Sequence, residues 1–273
     1  MKFTKTIAAC FFLISLTTFS NKISFESSKP IPGFSSSVGK PDDGNGKVFL
    51  TLKKPKNAKY KTIYESLRKN RPMDAIIKEF NETLHLPNNI EVVFEECKEE
   101  NAFYDSETKK ISVCYELVLK YVASIDQKIK FSEKVQQATT FTLFHELGHA
   151  MVDQLDLPIT GKEENAVDEF AMIMLLESEN EAAIDLAIEG VLQFYYDSLD
   201  EDSIDFTDVH APSKERYFDL LTLYIGAHEL KDVKDWIGKD EDQLSAERAE
   251  GAKYEYEQKS KSWDKLLADF YKE

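Results

Sequence analysis

Apolar positions recur along this chain with two different periods, and the change of period divides it. Val48, Leu50 and Leu52 alternate with other residues, which predicts a strand over 47–53. Helical spacing follows, with Ile63 and Leu67 in 60–69 and then Ile76, Ile77, Phe80 and Leu84 in 72–84. Pro72 suits a first helical turn. Alternation returns over 90–95 (Ile90, Val92, Phe94) and over 110–114 (Ile111, Val113), separated by a short extended piece at 101–104 and a turn at 105–108. From Tyr115 the period is helical to the end. A first helix begins at 115–123, and others are predicted over 131–155, 162–178, 180–197, 212–230 and 242–271, the last packing through Trp263, Leu266, Leu267 and Phe270. An acidic linker at 200–208 interrupts the series. The pattern predicts an α+β domain, with a small mixed or antiparallel sheet packed on a mostly helical body.

The helix over 131–155 differs from its neighbours. Val135, Ala138, Thr142, His145, His149 and Val152 form one stripe, Phe141, Phe144, Met151 and Leu155 an adjacent one, and Leu143 and Leu147 a third. A helix apolar nearly all round is buried. Ser132 is placed to cap it, without the Glu three residues on that completes a capping box. Two histidines and a glutamate in a buried helix need partners, because bare burial is costly. His145-Glu146-Leu147-Gly148-His149 has the spacing that supplies one. Residues four apart share a helix face, so both imidazoles can meet one metal ion while Glu146 reaches a water at the same centre.

A catalytic zinc takes three protein ligands and leaves one position open. After a break at Leu157-Pro158-Ile159-Thr160-Gly161, the chain re-enters a helix with Glu163, Glu164 and Asp168. Glu164 and Asp168 are four apart. The spacing suits Glu164 as third ligand and Asp168 as acceptor for a ligand histidine's other ring N–H, with Asp168 or Glu163 as substitutes for Glu164. The acidity of the whole segment also fits an ordinary solvated face.

Residues 1–20 read as an export signal: Lys2 and Lys5, an apolar run over 7–19, then small residues at Thr18 and Ser20. Residues 21–46, rich in Ser, Pro, Gly and Lys, read as a flexible linker, which leaves 47–273 as the domain. The apolar run is short for a membrane span, and the mature chain shows no other. Export to the periplasm or the exterior bears on the cysteines. Cys97 and Cys114 remain after cleavage, and in an oxidising compartment such a pair predicts a disulfide, against two buried thiols in a reducing one. The net charge of −16 disfavours nucleic acid or an anionic membrane as partner. No nucleotide-binding glycine loop occurs, and no oligomeric state can be read.

Glu164 and Asp168 after His-Glu-x-x-His resemble the Glu-zincin (gluzincin) pattern, and 164–171 resembles the E-x-x-x-[DN]-x-F-A run of compact peptidases of that type. Asn101-Ala102-Phe103-Tyr104 is similar to the edge strand of thermolysin-like peptidases, which binds substrate backbone by strand addition. An ordinary turn into a hairpin also accounts for it. These stretches, with Cys97, Cys114-Tyr115-Glu116-Leu117, Asp208-Val209-His210, Arg216, Tyr224-Ile225-Gly226 and Glu247-Arg248-Ala249, together resemble a family of exported bacterial proteins labelled metallopeptidases and otherwise a domain of unknown function. The resemblance spans about 48–272. Members often carry another cysteine pair in the last two helices, and this chain has none after Cys114.

The resemblance implies a zincin-like fold, one Zn²⁺ per chain and a peptide or protein substrate. Zincins often set a His or Tyr across the cleft against the oxyanion. His210 is the first candidate for that catalytic role beside Glu146, with Tyr224 and Arg216 behind it. His85 and His228 read as structural or exposed. Two other functions stay open: a non-catalytic exported domain holding a metal, and an amidase acting on cell-wall peptide.

Overall fold

The computed structural model describes residues 46–126, 132–178, 181–199 and 207–272. The expected export signal, nearly all of the expected linker, the predicted helix start at Phe131 and most of the acidic linker at 200–208 lie outside the described residues. Strand β1 (Val48–Leu52) leads through helices α1 (Lys61–Asn70) and α2 (Asp74–Thr83) to β2 (Ile90–Glu95), β3 (Ala102–Asp105) and β4 (Lys110–Cys114). Helix α3 (Tyr115–Tyr121) is followed by the long α4 (Glu133–Gln154), then α5 (Glu163–Leu176), α6 (Glu181–Leu199), α7 (Ser213–Gly226) and α8 (Ala246–Leu267). The architecture is α+β, a four-stranded mixed sheet on a helical body.

The strand order is β1-β2-β4-β3. β1 runs parallel to β2 and β2 parallel to β4, whereas β3 and β4 form an antiparallel hairpin that puts β3 at the edge. The parallel pairs explain why β2 carries Val92, Val93 and Phe94 all buried, since a parallel strand is covered on both faces. β3, with one side buried at Ala102 and Phe103 exposed, keeps the alternation of an edge. The Cys97–Cys114 disulfide joins the chain leaving β2 to the end of β4. Below it, the Glu116 carboxylate accepts from the backbone N–H groups of Cys97 and Lys98.

Helix α4 sits between the sheet and the helices, and its nearly all-apolar surface is buried as the pattern required. Ser132 caps it by accepting from the Val135 N–H. Two glycines set its contacts. A Cβ on Gly148 would lie 2.7 Å from Val167 Cβ on α5, and one on Gly190 of α6 would lie 2.2 Å from the Phe141 ring. Only glycine permits backbones this close. Gly148 therefore lets α5 lie against the same turn of α4 that carries the histidines.

Two helices are shorter than the sequence pattern predicts. α7 ends at Gly226, four residues before Leu230, where a Cβ would stand 2.3 Å from the Ala252 carbonyl oxygen of α8. α8 begins at Ala246, after the Ser245 cap, and not at Asp242. The intervening chain makes a 3-10 turn at Lys234–Trp236 and a bridge between Ile237 and Leu244. Trp263, Leu267 and Phe270 are buried as the periodicity indicated, while Leu266 is only half-buried.

Candidate metal centre

His145 and His149 project from α4 on one face, their rings perpendicular and 5.0 Å apart. α5 crosses them with Glu164, its second residue. Glu164 Oε2 lies 3.3 Å from His145 Nε2 and 3.5 Å from His149 Nε2. His210, on the loop before α7, brings a third Nε2 to 3.0 Å from the same oxygen. Three imidazole nitrogens thus converge on one buried carboxylate oxygen that makes no properly directed hydrogen bond. Zinc bonds of about 2.0–2.1 Å place tetrahedral donors about 3.3–3.4 Å apart, so the 3.3 and 3.5 Å spacings of the motif histidines match ligands around an ion, while His210 at 3.0 Å lies slightly inside that spacing, at hydrogen-bond distance. The donor set of histidine nitrogens and a carboxylate suits a divalent transition metal, zinc among them.

Each motif histidine has its own acceptor at the far ring nitrogen. His145 Nδ1 is 2.8 Å from Asp168 Oδ1, and His149 Nδ1 is 2.7 Å from Glu163 Oε1. These bonds turn both Nε2 atoms toward Glu164 and fix their tautomer. Glu163, weighed as a substitute ligand from sequence, is placed instead behind His149. Asp168 is itself clamped by Arg216 of α7, whose Nε and Nη2 both donate at 2.7 Å. Burial pushes the Asp168 carboxyl up, but Arg216 and His145 outweigh it and hold it below its ordinary range.

Burial likewise opposes charge on His145, yet Asp168 and Glu164 raise its pKa to about 9. Desolvation also disfavours the Glu164 carboxylate, and the three imidazoles around it overcome that and depress its pKa strongly. For Glu146 burial prevails and raises the pKa, against both histidines and the Tyr104 backbone. A carboxyl poised upward accepts and returns protons more readily than an ordinary one.

Glu146 faces β3 across a cleft of about 400 Å³ lined by Asn101, Ala102, Phe103 and Tyr104 on one wall and His145, His149, Glu164 and His210 on the other. The hairpin is pinned to α4 through Asp153, which accepts from Tyr104 Oη at 2.7 Å and pairs with Lys109 Nζ at 2.6 Å. The Cys114 N–H bonds to the Asn101 carbonyl, so Asn101 faces β4. By the alternation of an antiparallel pair, the backbone groups of Ala102 and Tyr104 face the free edge. A larger cavity, about 630 Å³, lies where Phe80 of α2, Phe144 of α4 and Met174 of α5 meet, and it contains no histidine.

A family model described as "Putative metallopeptidase" matches residues 52–267. The chain belongs to this family. The family's description implies a hydrolase of the metallopeptidase kind, with a metal cofactor and a peptide substrate. No curated protein matches the chain, and no solved structure does.

His145, Glu146, His149, Glu164, Asp168 and His210 are thus gathered at one centre, with Asn101 and Ala102 across from them. Tyr224 is not. It packs against His228 and Trp236, away from the cleft. Nor does Arg216 face an oxyanion position, since it is spent on Asp168. Sequence reading missed that clamp, although the signal was present: Arg216 lies on one stripe with Leu220 and Leu223, and an arginine in an apolar stripe requires a buried carboxylate.

Proposed function

We propose that the chain is a zinc-dependent peptidase of the His-Glu-x-x-His type in which His145, His149 and Glu164 hold the ion. The observation that carries this reading is the meeting of three Nε2 atoms, at 3.0 to 3.5 Å, on an otherwise unpartnered Glu164 oxygen. Zinc, when bound, makes water acidic enough to attack near neutral pH and polarises the scissile carbonyl.

The chain's own residues do the rest. Glu146, desolvated beside the centre, takes the proton of the attacking water and passes it to the leaving amine. Asp168, held by Arg216, keeps the proton of His145 on Nδ1 and its Nε2 lone pair toward the ion; Glu163 does the same for His149. The outward backbone N–H and C=O of Ala102 bind the peptide as an added strand, and Asn101 sits at the head of that edge. His210 is the donor nearest to where an oxyanion forms. We place the reaction outside the cytoplasm, in the periplasm or beyond the cell, on the Cys97–Cys114 disulfide and the export-type N-terminus.

The test combines metal content with cleavage of a peptide library. One zinc per chain is expected in wild type and in Glu146→Gln, with turnover in the variant lower by roughly 10²–10⁴-fold. A zinc-loaded Glu146→Gln that cleaves as fast as wild type overturns the assignment of the base.

The approach of His210 supports one competing reading, a non-catalytic metal domain, because four protein donors are the mark of a closed structural site. Zinc binding with no hydrolysis of peptides or of cell-wall peptide amides would select it.

A further inference from the structure

We infer that His210 is a displaceable fourth protein ligand, so that the resting centre is closed by the chain itself and opens only when this imidazole leaves. The inference rests on the metal-centre reading above and adds a regulation to it.

Distance is the first argument. His210 Nε2 is nearer to Glu164 Oε2, at 3.0 Å, than either motif histidine is. Its nitrogen, the His145 nitrogen and the Glu164 oxygen all lie within 4.8 Å of one another. Tetrahedral donors on zinc lie about 3.3–3.4 Å apart, so His210 at 3.0 Å is already within a few tenths of an ångström of a ligand's place and far inside the reach of a residue on the far wall of a substrate cleft. The second argument is orientation. Its other ring nitrogen, Nδ1, is 3.2 Å from Asp208 Oδ1, the same arrangement of carboxylate, imidazole and metal-facing Nε2 that Asp168 gives His145 and Glu163 gives His149. All three histidines at the centre therefore carry a carboxylate behind them.

The third argument separates His210 from the other two. The motif histidines are rooted in a buried helix, with side chains 9% and 17% exposed, whereas the His210 side chain is 47% exposed and sits on a loop. Its backing carboxylate comes from its own turn, where Asp208 Oδ1 also accepts the His210 backbone N–H at 2.9 Å. The ring and its carboxylate can depart together without breaking the core. Once displaced, the imidazole is still beside the centre and free to donate to an oxyanion. Water or a peptide carbonyl must therefore compete with an imidazole for one position.

X-ray absorption on the zinc-loaded full chain counts the imidazoles. Three are expected in wild type and two in His210→Ala, with zinc affinity by chelator competition weaker at least about tenfold, the scale on which even an outer partner of a ligand acts. Acetohydroxamate, a small zinc-binding probe, should lower the wild-type count from three to two. Two imidazoles in both proteins with equal affinity overturn the inference, and three that persist under saturating acetohydroxamate overturn the displacement. If wild type takes up no stoichiometric zinc, or if His145→Ala leaves binding unchanged, the metal-centre reading itself fails. Apo-protein melting curves confirm that His210→Ala is folded, which the exposure of this loop residue favours.

Discussion

The two imidazoles of the His-Glu-x-x-His turn are equivalent in sequence and unequal in the fold. His145 backs onto Asp168, which is 3% exposed and gripped by the largely covered guanidinium of Arg216, itself stacked 4.1 Å over the Phe194 ring. His149 backs onto Glu163, whose side chain is half in solvent at the first turn of α5. One half of the centre is therefore locked by three helices, and the other leans on a carboxylate that water can replace. The difference teaches that rigidity here comes from the α4–α5–α7 packing and not from the motif. A buried ion pair keeps its geometry because breaking it strands a charge, while an exposed one competes with solvent at little cost.

The sharpest way to break this asymmetry is Asp168→Ala. It strands Arg216 without its anion, so the apo-protein should lose about 3–5 kcal/mol in denaturant unfolding. Zinc affinity should fall roughly 10–100-fold as His145 loses its orientation. If the variant unfolds at the wild-type midpoint, the clamp contributes no stability and the contrast with His149 disappears.

The proton on His145 gives the next largest effect. Its pKa is raised to about 9 in the metal-free protein, and a metal requires the neutral ring. Below about 9, zinc must expel that proton, and His149, whose pKa is also raised, adds to the competition, so affinity should rise with pH by at least about tenfold per unit and flatten above 9. Calorimetry in buffers of different ionisation enthalpy counts the protons released. A flat affinity from pH 7 to 9 would show that the ring is already neutral.

Gly148→Ala tests what holds the two halves together. The added methyl meets Val167 and Phe170 of α5 at 2.7 and 3.1 Å, so about 1–3 kcal/mol of stability should be lost by overpacking. Because it moves α5 as a unit, both Glu163 and Glu164 shift, and zinc affinity should drop even though no ligand is removed. A variant stable as wild type would mean that α5 relaxes freely. The smallest effect belongs to Glu163→Gln, which leaves an amide acceptor behind His149. Its zinc affinity should change by no more than about fivefold, the range of an exposed pair. A loss matching Asp168→Ala would erase the inequality between the histidines.

Much of the scaffold could be read before any fold was in view. β2 and β4 occupy the residues that the alternation marked, and the α4 helix is buried because its apolar positions go all round. Glu164 and Asp168 were legible as a pair because helical spacing forces residues four apart onto one face. The ends of α7 and α8 were not legible. They depend on Gly226 lying under the Ala252 carbonyl, a contact between residues 26 apart that no local period records. The parallel pairing of β1 with β2 and of β2 with β4 was hidden for the same reason, since it joins stretches far apart in the chain, as Val48 with Ile90 and Glu91 with Lys110.

By itself, then, the sequence determined the chemistry of α4 and the identity of the groups available to it. Residue type and a 3.6-residue period are local properties, and they suffice to align His145, Glu146 and His149. Only the tertiary structure decided which carboxylate serves which histidine, that Arg216 is spent on Asp168, and that His210 meets Glu164. Those assignments depend on where α5, α7 and the loop before it come to rest against α4. That is fixed by close approaches such as Gly148 on Val167, which arise only once the whole core has packed.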